Sequence, residues 1–106
     1  METIVIKLNP ELLENPDLDL SYTVPDRIEE LSDKRIIDNG YDYLEGKNNP
    51  IGIWMKTTSA EQNYPFIIDI FKKEMFLEND LSRSVEIYIS KSDCAELKNC
   101  KKVYPL

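Results

Sequence analysis

Apolar residues along the chain fall into runs of two periods, and each run predicts an element. Thr3-Ile4-Val5-Ile6-Lys7-Leu8 is rich in β-branched residues and is bounded by Asn9-Pro10, which predicts a first strand covered on both faces and therefore central. Asn9 ahead of Pro10 predicts one helical turn over residues 11–14, closed by Asn15-Pro16. From Asp17 the chain alternates, with Leu18, Leu20, Tyr22 and Val24 on one side and Asp17, Asp19, Ser21 and Thr23 on the other. Period two predicts an extended segment with one buried face. Pro25 then offers a first helical position. Ile28 and Leu31 follow it as an apolar stripe opposite Asp26, Glu29, Glu30 and Asp33, which predicts a short amphipathic helix ending near Lys34-Arg35.

Residues 35–38 and 41–44 flank Asn39-Gly40, a pair that favours positive φ and marks either a tight hairpin or a bulge. The bulge is preferred, because Gly46-Lys47-Asn48-Asn49-Pro50 supplies a better-separated turn before the next strand, residues 51–57. That strand alternates Ile51, Ile53 and Met55 against Gly52, Trp54 and Lys56, and Trp54 is expected to lie under another element. Ser59 and Gln62 have capping-box spacing and predict the start of a long helix. Its inward side is expected to hold Tyr64, Ile67, Ile68, Phe71 and Met75, with Pro65 in the first turn or two. Residues 84–90 alternate with Val85, Ile87 and Ile89 inward, and predict the last main strand. A helical turn and an extended tail packing through Val103 and Tyr104 complete the chain.

A chain of 106 residues, 42% apolar and 31% charged, suits one folded domain spanning residues 1–106. The order β-α-β-β-α-β with a central hairpin resembles the ferredoxin-like fold. That resemblance implies an α+β two-layer sandwich in which an antiparallel sheet carries both helices on one face and strands one and three lie centrally. Residues 9–24 would form an extended acidic insertion after strand one.

Charge changes what this domain is expected to meet. Residues 1–33 hold nine acids against two bases, a balance of −7, while residues 34–106 hold eleven of each. A one-sided acidic field draws basic partners and repels nucleic acid and anionic membranes. No run approaches the roughly 20 apolar residues that cross a bilayer, and the first residues lack the basic start of a secretory leader, so a cytoplasmic location is expected. Cys94 and Cys100 are spaced too widely for the common redox and zinc motifs and are expected as free thiols.

Candidate chemistry is sparse. Histidine is absent, which removes Ser-His-Asp and Cys-His mechanisms and the usual transition-metal ligand. Asp38-Asn39-Gly40-Tyr41-Asp42-Tyr43 lacks the ligand register of a calcium loop. Asp38 and Asp42 as an acid–base pair would need a cleft that raises one pKa; the simpler reading is a bulged strand with solvated acids. Three glycines cannot build a phosphate-cradling loop of the usual kinds. No catalytic residue, metal or cofactor is therefore expected.

What remains is binding. Asp17, Asp19, Asp26, Glu29, Glu30 and Asp33 are expected to dock a basic protein partner, with Tyr22 and Tyr41 as aromatic anchors. In size, acidity and lack of catalytic residues the chain resembles the bacterial immunity proteins. That resemblance implies a partner of the nuclease-toxin type, inhibited by occlusion of its basic cleft. Two other classes fit the same chain: a small-ligand-binding or regulatory ferredoxin-like domain, and an enzyme working with carboxylates and tyrosines alone.

Overall fold

A computed structural model of the chain describes residues 1–93 and 96–105. The described residues form a five-stranded antiparallel sheet of β1 (Glu2–Leu8), β2 (Ile36–Tyr43), β3 (Ile51–Thr57), β4 (Val85–Ser90) and β5 (Lys101–Tyr104), in the spatial order β2-β3-β1-β4-β5. Helix α1 (Leu20–Leu31) joins β1 to β2, and α2 (Ala60–Lys73) joins β3 to β4. β1 is central, as its two-sided apolar sequence requires: Ile4 lies opposite Met55 and Ile89, and Ile6 opposite Ile53 and Ile87. These side chains share one core with Leu20, Val24 and Ile28 of α1 and Ile67, Ile70 and Phe71 of α2, so both helices cover the same face of the sheet. Ser59 caps α2, its hydroxyl accepting the Gln62 N–H at 3.4 Å, and the Glu2 carboxylate accepts the Ala60 N–H at 2.8 Å. The C-terminal tail is a fifth strand on the β4 edge, with Val103 buried and the Tyr104 hydroxyl donating to the Ser82 carbonyl.

The extended segment expected over residues 17–24 is instead the start of a helix. Leu18, Leu20, Tyr22 and Val24 alternate, but Leu20, Val24 and Ile28 also recur every four residues, and the second pattern prevails. Leu20, Val24 and Ile28 are at most 1% exposed, whereas Leu18 and Tyr22 are 61% and 56% exposed. Pro25 therefore sits inside α1 and not at its start. An interior proline costs about 3 kcal/mol. Each fully buried aliphatic side chain returns about 1.5–3 kcal/mol, so three of them outweigh it. An Asx turn starts the helix: the Asp17 carboxylate accepts the Asp19 N–H at 2.9 Å, and the Asp17 carbonyl accepts the Leu20 N–H at 3.1 Å.

One further expectation is corrected. Met75 lies beyond the end of α2 and is 63% exposed, and Ile70 takes an inward position in the helix. Trp54 lies half-buried on the sheet face opposite the helices, its ring so close over Gly52 that a Cβ there would meet Cζ3 at 2.5 Å. Val5, fully buried, sits between Trp54 and Tyr88 in register. Beside them Glu86 pairs with Lys7 at 3.6 Å and Lys102 at 3.2 Å. Burial pushes the Glu86 carboxyl up, but Lys102, the Tyr88 hydroxyl and Lys7 together hold it below its usual range. This face is closed by its own side chains.

Buried Asn79 ties residues 10–19 to the rest of the molecule. Its carboxamide oxygen accepts the Asn15 N–H at 2.8 Å, and its nitrogen donates to the Asn15 carbonyl at 2.8 Å and to the Phe76 and Leu77 carbonyls at 3.1 Å each. Reciprocal backbone bonds, Phe76 N–H to the Asn79 carbonyl at 3.0 Å and Asn79 N–H to the Phe76 carbonyl at 2.9 Å, close the turn whose central residues Leu77 and Glu78 are held at φ 48° and 72°. Truncation leaves buried backbone groups unpaired, at about 1–3 kcal/mol. Asn79→Ala is expected to lower stability by about 2 kcal/mol in urea denaturation and to remove hydrogen-exchange protection at Asn15.

Candidate docking surface

Tyr22 and Tyr41 meet because β2 carries one extra residue. Asp38 lies opposite Met55, but Tyr41 lies opposite Ile53, so the register shifts by one across Asn39-Gly40. Gly40 takes φ 96° and donates its N–H to the Asp38 carboxylate at 2.9 Å, making the bulge. A one-residue shift turns every later side chain to the other face of a strand. The bulge thus moves Tyr41 and Tyr43 onto the helix face, where Tyr22 stands on α1. The Tyr22 and Tyr41 rings pack edge to face with centroids 5.7 Å apart, and their hydroxyls are 3.3 Å apart. That hydrogen bond holds the Tyr22 phenol above its ordinary pKa. Both rings stay exposed, at 56% and 41%.

The six sequence-selected carboxylates divide along α1. Asp17 and Asp19 stand at its N-terminal end, where the helix dipole favours them. Asp26, Glu29, Glu30 and Asp33 line a shallow depression of about 380 Å³ with Lys34 toward the other end. Glu30 pairs with Arg27, which is also held by Glu74 through two bonds of 2.9 Å. Those two carboxylates hold the Arg27 guanidinium more firmly protonated than usual, and Arg27 in turn holds the Glu74 carboxyl below its usual range. Glu29 accepts the Asp38 N–H at 3.1 Å. Among the described residues no ion pair engages Asp17, Asp19, Asp26, Glu29 or Asp33.

Asp33 closes α1 in a position that suits glycine. Its N–H donates to the Glu30 carbonyl at 3.2 Å, and the Lys34 N–H donates to the Glu29 carbonyl at 2.9 Å, the Schellman pairing. Asp33 and Lys34 therefore sit at φ 54° and 63°. An acid in a left-handed conformation at the negative end of a helix is doubly unfavourable.

Sequence reasoning selected Tyr22 and Tyr41 but passed over Leu18 and Tyr43, which are 61% and 54% exposed beside them. Leu18 was assigned to a buried face by its alternation, and Tyr43 carried no separate signal. Leu18, Tyr43 and Ile51 line two adjoining clefts, one of about 130 Å³ at Tyr22 and Tyr41 and one of about 540 Å³ reaching Leu8, Leu13 and Leu20. Asp17 is the single charged residue lining the larger cleft.

Asp38 and Asp42 do not form a catalytic pair. Asp38 lies in register with Met55 on the helix face, and Asp42 with Gly52 on the other. Each carboxylate accepts a nearby backbone N–H, from Gly40 at 2.9 Å and Tyr43 at 2.8 Å. Among the described residues no group of three or more acids or cysteines gathers as a metal site, and no helix is long and apolar enough to cross a membrane. Cys100 is half-buried; Cys94, and with it the state of the two thiols, lies outside the described residues.

Comparison with protein-family models, with curated proteins and with solved structures finds no match to this chain.

Replacing Asp33 by glycine relieves both the left-handed backbone and the charge at the helix end. Asp33→Gly is expected to stabilise the protein by about 1 kcal/mol, raising Tm by about 4–8 °C for a domain of this size, as read by calorimetry.

Proposed function

We propose that the chain is a non-catalytic protein-binding module. Its α1 surface and Tyr22–Tyr41 pair dock a basic protein in the cytoplasm, in the manner of an immunity protein that occludes a nuclease-type toxin. The observation that carries this reading is the exposed tyrosine pair at a helix along which Asp17, Asp19, Asp26, Glu29 and Asp33 enter no ion pair among the described residues. Large amphipathic rings supply contact area at low entropic cost, and an acidic surround speeds and orients the approach of a basic surface. The opposite sheet face, closed by Trp54, Tyr88 and the Lys7–Glu86–Lys102 cluster, offers less to a partner. The β4-β1-β3-β2 order with both helices on one face supports a ferredoxin-like reading of the fold, with β5 added at the β4 edge. A regulatory, sheet-dimerised domain of that type would leave the carboxylates of α1 without a role.

The product of the adjacent gene is the first partner to titrate. By calorimetry, Tyr22→Ala and Tyr41→Ala are each expected to weaken the complex by about thirtyfold, the effect of losing a central anchor, while leaving thermal stability nearly unchanged. Wild-type affinity in both variants, or no complex with the adjacent product, would overturn the proposal.

A further inference from the structure

The larger cleft beside Leu18 and Tyr43 has a floor of buried Leu8, Leu20 and Ile51, and walls contributed by two separate segments. One wall is the chain from Pro10 to Leu18, which begins with a short 3-10 turn (Pro10–Leu12) and is held by the Asn15–Asn79 bonds. The other is the β2–β3 hairpin, closed by the Leu44 N–H on the Pro50 carbonyl at 2.7 Å. The cleft is therefore preformed, and it takes an occupant without ordering either wall. Its lining is apolar except for Asn48, Asn49, the Tyr43 hydroxyl and the carboxylate-bearing Asp17; Asp19, exposed, comes two residues after Asp17 in the chain. Few polar groups converge inside it to orient a small polar ligand. It is continuous, through Leu18, Tyr43 and Ile51, with the tyrosine pair.

We infer that this cleft receives one apolar side chain, of leucine or phenylalanine size, from a loop of the basic partner, and that lysine or arginine beside that side chain meets Asp17 and Asp19. The inference rests on the docking reading above and adds where the partner's anchor residue goes. An apolar anchor in a preformed pocket, flanked by charge pairs at a wetter rim, is the arrangement that concentrates binding energy at protein interfaces. The acids exclude an anionic occupant, and the apolar floor leaves a purely charged one without contacts in the cleft.

The test is a nuclear magnetic resonance titration of the whole chain with four probes: a capped peptide with phenylalanine between two pairs of lysines, its alanine counterpart, its neutral counterpart with serines for lysines, and free indole. The phenylalanine peptide is expected to bind at least about fivefold more tightly than the other three, the gain from burying one aromatic side chain beside paired charges. It should shift the amides of Leu13, Leu18, Asn48 and Ile51. Leu18→Ser, at an exposed position that contributes little to stability, should erase the advantage while the alanine peptide binds as before. Equal binding of the phenylalanine and alanine peptides, with shifts only along α1, would overturn the cleft as an anchor site and leave acidic docking standing. Equal binding of the neutral peptide would overturn the charge match. Tighter binding of indole would make the cleft a small-molecule site, and shifts confined to the Trp54 face, or none from any probe, would also overturn the inference. The wider docking reading stands or falls separately, on the adjacent gene product.

Discussion

Burial of Leu20, Val24 and Ile28 against Ile36, Ile53 and Met55 of the sheet determines how α1 is turned, and most of the functional surface follows from that rotation. With those three side chains inward at intervals of four, Asp19, Tyr22, Asp26, Glu30 and Asp33 face away from the core. Because the stripe contributes more than the proline within the helix costs, the carboxylates stand on a fixed element and not on a tail. Under the proposed docking, a partner would meet charges already in place and pay little to order them. The bulge in β2 is the second half of the same arrangement, since it brings Tyr41 to the side on which α1 presents Tyr22.

Most of the sheet was legible in the sequence. β1 is a continuous apolar run, β3 and β4 alternate, each has turn residues near its ends, and the Ser59 cap of α2 was announced by Gln62 three positions later. The segment from 17 to 24 was misread because two periods overlap there, and Pro25 favoured the later start. Only the tertiary gain of seating Leu20 and Val24 beside Ile28 decides between them. Met75 was placed inward by extending α2 past Lys73, and Ile70 was missed because a stripe read at every third or fourth residue can run on either side of it. The seat of the Trp54 ring over Gly52 of its own strand was not legible, since that contact follows no hydrophobic period. Of the candidate surface, the acids and both tyrosines were legible as residues, but not the bulge and helix that bring Tyr22 and Tyr41 together. The cleft was not, since it joins residues 8–20 to residues 43–51 through a chain reversal that no local pattern marks.

Several local preferences are violated around α1, and the violations share a direction. Asp33 occupies a glycine position, and acids gather at the C-terminal end of the helix, whose last turn contains no base. Leu18, Tyr22, Tyr41 and Tyr43 expose apolar surface in one neighbourhood. Each feature lowers stability or solubility, and the proposed contact with a basic, partly apolar partner would account for each. Departures from local rules that cluster on one surface mark function more than fold. The rest of the molecule shows no such concentration of charge, its acids and bases being equal in number from residue 34 onward.

The central claim, that a fixed acidic face steers and docks a basic partner, is tested most directly by the association rate with the adjacent gene product as salt is raised from about 50 mM to about 500 mM. The rate is expected to fall by about tenfold or more for the wild type, and to be slow and nearly salt-independent when Asp19, Asp26 and Asp33 are all changed to asparagine. A wild-type rate that does not respond to salt, or a triple variant that associates as fast as the wild type at low salt, would contradict it.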